Sequence, residues 1–203
     1  MRIRTIRIIE FLLRASGILA TVLLITLVAV VSYNVIARYL LNAFSIGLEE
    51  LGWHLYAAVF LLAIPYAVYT DSHVRIDLIY ESRSPAYKRF IGIVGSIVFL
   101  LPFALVTLYY SWIFTSQAFS YGELPDSLSG IWRQLISKDG IGEKSQDPGG
   151  LTNRFIIKAV IPISAFLLFL AGIRNILTLL DSGIDEASSM QTNINTKEVV
   201  NET

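Results

Sequence analysis

Cysteine is absent from the 203-residue chain, and histidine occurs only at His54 and His73. The lack of cysteine excludes disulfides, thiolate chemistry and cysteine-ligated metal sites. Only His54 lies in a long apolar run, which argues against a haem held between two histidines of one chain. The formal net charge is zero, so nothing indicates a nucleic-acid partner. We therefore expect no cofactor, no metal site and no nucleic-acid binding.

The long apolar runs also lack any centrally placed Asp, Glu, Lys or Arg. Proton- and ion-coupled carriers need such a group, or a broken helix that exposes backbone ligands. Pro65, Pro102 and Pro162 are single prolines without the glycine-rich interruptions of a broken helix. The chain has no Gly-x-Ser-x-Gly and no His-Glu-x-x-His motif. The sequence therefore predicts neither a substrate-binding site nor a catalytic site wholly inside this chain.

What the sequence does contain is hydrophobic: 54% of its residues are apolar or aromatic, and the mean hydropathy is +0.61. The charges cluster between apolar runs that are long enough, as helices, to cross about 30 Å of hydrocarbon. We predict an all-α integral membrane protein with four transmembrane helices, at about 15–37, 51–69, 90–114 and 155–180. The last helix needs Lys158 and Arg174 to extend toward opposite interfaces. Residues 1–180 then form one four-helix domain.

Shorter polar segments flank these spans. Residues 1–14 carry four arginines and predict a basic interfacial segment rather than a signal peptide, because the apolar run that follows is longer than a signal-peptide core. Residues 128–136, LSGIWRQLI, predict a short amphipathic helix anchored by Trp132, within a polar loop at 122–154. Trp53 and Trp112 are expected at the membrane interfaces. Residues 181–203 are polar and are expected to be a disordered tail.

The distribution of basic residues predicts the orientation of the chain. The side that holds both termini and the loop at 70–89 has ten Lys and Arg, and the opposite side has six. Because cytoplasmic loops carry the excess of Lys and Arg, we expect both termini in the cytoplasm of a bacterial inner membrane. The loop at 122–154 is then expected in the periplasm.

The joint between the first two spans concentrates polar groups at 34–51. They are Asn34, Arg38, Tyr39, Ser45, Glu49 and Glu50. Polar groups at the edge of hydrocarbon need lipid headgroups or protein partners, and both interpretations stay open here. On a helix, the adjacent carboxylates Glu49 and Glu50 point about 100° apart, so they are not expected to share one ligand.

These residues resemble the small permease subunit, the DctQ-like component, of tripartite ATP-independent periplasmic (TRAP) transporters. The first family motif is matched by Asn34, Val35, Arg38, Tyr39, Ser45, Glu49, Glu50 and Leu51. The second, after the second span, is matched by His73, Val74, Arg75, Ile76 and Asp77. The third is matched by Gly142, Glu143, Ser145, Pro148, Gly149, Gly150, Leu151, Lys158 and Pro162. The resemblance covers roughly residues 10–180.

Two departures from the family pattern stand out. The tryptophan that often precedes the paired glutamates is missing, and Ile46-Gly47-Leu48 stands there, with Trp53 as a substitute anchor. Gly122-Glu123 occurs where the family's Gly-Glu usually follows the third span, so about 20 residues before Gly142 look inserted. This enlarges the predicted periplasmic loop by the segment 124–141.

The resemblance implies a non-catalytic scaffold beside a large multi-span permease subunit that carries the sodium and substrate sites. A periplasmic binding protein would deliver the substrate, an organic acid anion, and a sodium gradient would drive its uptake. Asn34, Arg38, Tyr39, Ser45, Glu49, Glu50, His73, Arg75 and Asp77 are then candidate interface or orienting residues. Membrane lipids are the other expected partners, with Trp53, Trp112, Trp132, Lys158 and Arg174 as anchors.

Two alternatives belong to other classes of protein. A self-sufficient small carrier or channel, built as a homo-oligomer, would have to line a pore with Asn34, Arg38 and Glu50. A membrane enzyme or electron-transfer anchor would have to use His54.

Overall fold

Six α-helices lie within the residues that the computed structural model describes, and no strand occurs there. The helices are α1 (Arg2–Leu40), α2 (Ile46–Tyr69), α3 (Pro85–Gly95), α4 (Leu101–Ser120), α5 (Leu128–Ile136) and α6 (Phe155–Asn201). A π-helical turn, Ser96–Leu100, joins α3 to α4. The structure describes the backbone of residues 2–71, 84–122, 128–137 and 140–201, and the side chains within 6–71, 84–122, 130–135, 137 and 140–181.

Four helical segments are long and apolar enough to cross a membrane. They are Ile6–Leu40, Ile46–Tyr69, Pro85–Ser120 and Phe155–Asp181. The predicted fold class, all-α with four spanning helices, is confirmed. The short helix α5 begins and ends where the amphipathic pattern at 128–136 predicted.

Helix α1 is longer than the predicted first span, because it includes the basic segment as part of one continuous helix. The sequence before Gly17 contains neither glycine nor proline, so nothing interrupts the hydrogen-bond ladder. The helix of 39 residues is about 58 Å long, which exceeds the thickness of hydrocarbon. It must therefore tilt or project beyond the membrane.

Helix α6 also differs from expectation, because it continues to Asn201 through the segment predicted to be a disordered tail. No proline follows Pro162, and Gly183 is the only glycine after Gly172. The segment was predicted to be disordered because it has too few apolar residues to pack into a core. A low content of apolar residues does not by itself end a helix that has already formed.

The π-helical turn lies immediately before Pro102. The amide of Leu101 donates to the carbonyl of Ser96, five residues earlier. Proline has no amide hydrogen, and its ring collides with the carbonyl four residues back in a regular helix. The widened turn removes that collision, and buried Ser96 accepts a hydrogen bond from Asn175 Nδ2 at 3.0 Å. The irregularity before Pro102 is thus a local π turn packed on α6.

Helix α2 packs between α1 and α6, and α6 also packs along α4. The buried core has members from three helices: Ile9, Leu13, Ala20, Leu62, Leu167 and Ala171. Close approach of α1 to α2 depends on Gly17, since a Cβ there would lie 2.6 Å from the Tyr66 ring. Most of the large apolar side chains on the outer faces remain exposed, as a surface for lipid or another protein requires.

A polar cluster joins three helices at the end of the bundle where α1 begins and α2 ends. Arg174 Nη2 donates to Glu10 Oε1 at 3.0 Å, and the Arg174 guanidinium lies 4.9 Å from the centre of the Tyr69 ring. Arg14 Nε donates to the Tyr69 hydroxyl at 2.9 Å. Arg174, predicted to be an interfacial anchor, therefore has partners within the chain.

Candidate subunit-docking surface and the capping loop

The turn between α1 and α2 includes Asn42, whose φ of 48° is left-handed. Asparagine adopts this conformation more readily than most residues. Ser45 then caps α2 by accepting a hydrogen bond from the amide of Leu48 at 3.4 Å. Ser45, which is a predicted interface residue, therefore acts as the N-cap of α2.

One of the two adjacent glutamates holds a distant segment. We call residues 140–154, between α5 and α6, the capping loop. Glu50 Oε1 accepts a hydrogen bond from Ser145 Oγ at 2.5 Å, and Glu50 Oε2 accepts one from the amide of Leu151 at 2.6 Å. The first and third sequence motifs therefore meet in space, about a hundred residues apart in the chain.

Two glycines of the capping loop are required for different reasons. Gly149 has a φ of 85°, which residues with a Cβ rarely adopt, and no described atom lies within 4 Å of the place where a Cβ would be. Gly150 is required for space, because a Cβ there would lie 2.5 Å from the Ser145 Cβ and 3.0 Å from Glu50 Oε2. The paired glycines thus let the loop turn and approach the carboxylate.

The capping loop also attaches to α4 and α6. The amide of Glu143 donates to the Ala118 carbonyl at 2.8 Å, and the Glu143 side chain forms an ion pair with Lys158. Lys158 Nζ lies 4.1 Å from the centre of the Phe114 ring. Lys158, which is predicted to be an interfacial anchor, also fixes the start of α6 to the loop.

Asn153 is a structural residue that the sequence reasoning missed. Its Oδ1 accepts a hydrogen bond from the amide of Ile141 at 2.6 Å, and its Nδ2 donates to the carbonyl of Leu135 in α5 at 3.0 Å. Ile141 is only 1% exposed. The available signal was Asn153 itself: it is one of the residue types that tolerate left-handed backbone, and its φ is 59°.

A polar cavity of about 770 Å³ lies beneath this loop, against the end of α4. Its lining includes Glu143, Lys144, Arg154 and Lys158. Because Glu143 pairs with Lys158, the described lining has an excess of positive charge from Lys144 and Arg154.

A second concavity lies between α1 and α2. This α1–α2 groove of about 550 Å³ is lined mainly by apolar side chains, and its polar members are Ser32, Asn34 and Glu49. Asn34 Oδ1 is buried and has no hydrogen-bond partner among the described residues. The carboxylate of Glu49 is exposed and, within the same part of the chain, forms no ion pair. Trp53 and Tyr56 form one wall.

The predicted corner residues thus separate into groups. Ser45 and Glu50 organise the chain itself, whereas Asn34 and Glu49 line the groove. The Arg38 guanidinium lies 5.3 Å from the centre of the Phe44 ring, across the turn. Tyr39 is exposed. His73, Arg75 and Asp77 lie outside the described residues.

The other aromatic and histidine residues have simple positions. Trp53, Trp112 and Trp132 are all about two-thirds exposed, so each is available to a membrane interface or to a partner. His54 Nδ1 lies 2.5 Å from the carbonyl oxygen of Glu50 and donates to it within α2. This bond gives His54 a helix-internal role. Among the described residues, no group of His, Cys, Asp or Glu side chains is arranged to hold a metal ion.

The four spanning helices and their uncharged interiors define a multi-pass membrane protein. A family model described as "Tripartite ATP-independent periplasmic transporters, DctQ component" matches residues 27–182. The match covers more than half of the chain, so the chain belongs to the DctQ family. No curated protein matches it. The family is a transporter component rather than an enzyme family, and it implies association with a large TRAP permease subunit and a substrate-binding protein.

Proposed function

We propose that this chain is the scaffold subunit of a sodium-coupled TRAP importer for an organic acid anion. Its own helices carry no transport site, and the large permease subunit binds sodium and substrate. The observation that carries this proposal is the family match on a bundle whose helix interiors have no central charge. A carrier moving an anion and sodium through this chain alone would need such groups or broken helices.

The contacts of the capping loop support a scaffold role, because they use polar groups to fix the chain's own shape. Glu50, Glu143 and Asn153 each bond to backbone or side chains of another segment. A fixed surface loses little conformational entropy when it binds a partner, which favours association. We propose that this end of the bundle faces the periplasm and meets the substrate-binding protein, with Lys144 and Arg154 presenting positive charge.

Reconstitution into liposomes tests the function directly. The chain alone, the large permease alone, and both together are each supplied with the binding protein and candidate organic acids. We expect uptake only when all three proteins are present with an inward sodium gradient. Uptake by the chain alone would support the self-sufficient carrier and refute the scaffold. Uptake that persists after the sodium gradient is collapsed would refute the sodium coupling alone.

A deletion of residues 124–141 tests the proposed contact with the binding protein. We expect weaker binding of that protein to the reconstituted complex, with the two membrane subunits still associated. Because Ile141 is buried and its amide bonds to Asn153, a second variant that deletes 124–134 serves as the control for a damaged capping loop. Unchanged binding of the substrate-binding protein in both variants would exclude residues 124–141 from that interface.

A further inference from the structure

The α1–α2 groove has the form of a seat for another helix. Its α1 wall includes Leu27, Val31 and Val35, which repeat every four residues along one helical face. That distance is about 12 Å, or roughly two turns of a helix laid alongside. Gly52 makes the groove deeper, because it places no side chain between α1 and α2. Helices that bind in such grooves insert side chains from one face.

Asn34 favours an occupant that carries a polar side chain. Its buried Oδ1 has no hydrogen-bond partner among the described residues, and the neighbouring groove residues Val31 and Val35 are apolar. A buried acceptor without a donor is costly, and more so near hydrocarbon. Lipid acyl chains have no donor to offer. A helix with a hydroxyl, amide or cationic side chain at this level satisfies Asn34.

Glu49 adds a charge requirement. Its neighbour Glu50 is engaged by the capping loop, but Glu49 lines the groove and forms no ion pair with the described residues. Arg38, on the same corner, lies against Phe44 instead. A second copy of this chain is a poor occupant, because a two-fold contact would bring acceptor to acceptor and carboxylate to carboxylate.

We propose that the α1–α2 groove seats a helix of the large permease subunit that carries a hydrogen-bond donor facing Asn34 and a cationic side chain facing Glu49. This proposal rests on the proposed function, which supplies the identity of the partner. It adds the surface that is used and the chemistry that the partner presents. The apolar lining supplies contact area, and the contacts with Asn34 and Glu49 fix the register.

Site-specific photocrosslinking in the co-expressed, purified complex tests the location. A photoreactive phenylalanine analogue replaces Tyr56 in the groove or, as a matched control, the similarly exposed Tyr110 on α4. We expect adducts with the large permease from position 56 and at least about tenfold fewer from position 110. Adducts only from position 110, only with lipid, or only with a second copy of this chain would overturn the proposal.

Two substitutions test the chemistry. Glu49→Lys and Asn34→Leu are each expected to accelerate dissociation of the complex at least about tenfold. The control Glu49→Asp keeps the negative charge and is expected to leave the dissociation rate near that of the unaltered complex. The unfolding temperature of the isolated chain, measured for each variant, separates lost docking from lost folding. Unchanged dissociation for both variants would overturn the proposed partner chemistry. Failure of the unaltered chain to form any complex would instead refute the scaffold function.

Discussion

The capping loop and the α1–α2 groove both involve polar groups from the same short corner of the chain, but these groups have different roles in the two regions. At the capping loop, Glu50 of α2 accepts hydrogen bonds from Ser145 and Leu151. In the groove, Asn34 Oδ1 and the Glu49 carboxylate have no such partners among the described residues. A polar group satisfied within the chain stabilises the fold, and one left unsatisfied near hydrocarbon indicates a partner.

The largest effect is expected from removing the Glu50 carboxylate. Glu50→Ala leaves the Ser145 hydroxyl and the Leu151 amide without their acceptor, and we expect it to lower stability by about 2–4 kcal/mol. The free energy of unfolding in detergent and the rate of trypsin cleavage after Lys144 are the measurements. Glu49→Ala is the control and should change stability by less than about 0.5 kcal/mol. Equal effects of the two substitutions would remove the distinction between the two regions.

The groove depends on the packing of its two helices, and Gly17 tests that dependence. Gly17→Val is expected to cost about 1–3 kcal/mol, because its side chain would meet the Tyr66 ring. Gly95→Val is the matched control, since nothing lies within 4 Å of a Cβ at that position. Thermal unfolding of both variants in the same detergent gives the comparison. A destabilisation by Gly95→Val as large as that by Gly17→Val would contradict the steric explanation.

The two glycines of the capping loop separate space from backbone conformation. Gly150→Ala should release the loop by displacing Ser145 or Glu50, at about 1–2 kcal/mol. Gly149→Ala has room for its methyl group but a left-handed φ, so we expect about 1 kcal/mol. Gly149→Asn should recover part of this loss, because asparagine tolerates left-handed backbone. Recovery by asparagine at position 150 as well would show that space is not limiting there.

The smallest effect is expected at the ion pair between Glu143 and Lys158. Both side chains are partly exposed, at 26% and 18%, so water and salt weaken their attraction. Lys158→Met combined with Glu143→Gln in a double-mutant cycle should give a coupling below about 1 kcal/mol. Measurement at high and low salt checks the electrostatic origin. A coupling energy larger than the stability loss caused by Glu50→Ala would show that this ion pair, rather than Glu50, contributes most to holding the capping loop.

The number and type of spans followed from the sequence, because long uncharged apolar runs have few folded solutions in a membrane. The helix at 128–136 followed in the same way from its amphipathic pattern. The extents of α1 and α6 did not follow, since hydropathy predicts where a helix crosses hydrocarbon and not where its hydrogen-bond ladder ends. Asn153 was missed because its role depends on an amide of Ile141 and a carbonyl of Leu135 that the fold brings together.

The amino-acid sequence by itself determined the membrane-spanning class, the family and the set of polar corner residues. It also placed Glu49 and Glu50 about 100° apart on the helix, so the two carboxylates point in different directions and cannot make the same contacts. Only the tertiary structure decided which carboxylate faces the capping loop and which faces the groove. The physical reason is that hydrogen bonds between Glu50 and Leu151 join segments about a hundred residues apart, and their pairing depends on how α2 and α6 pack.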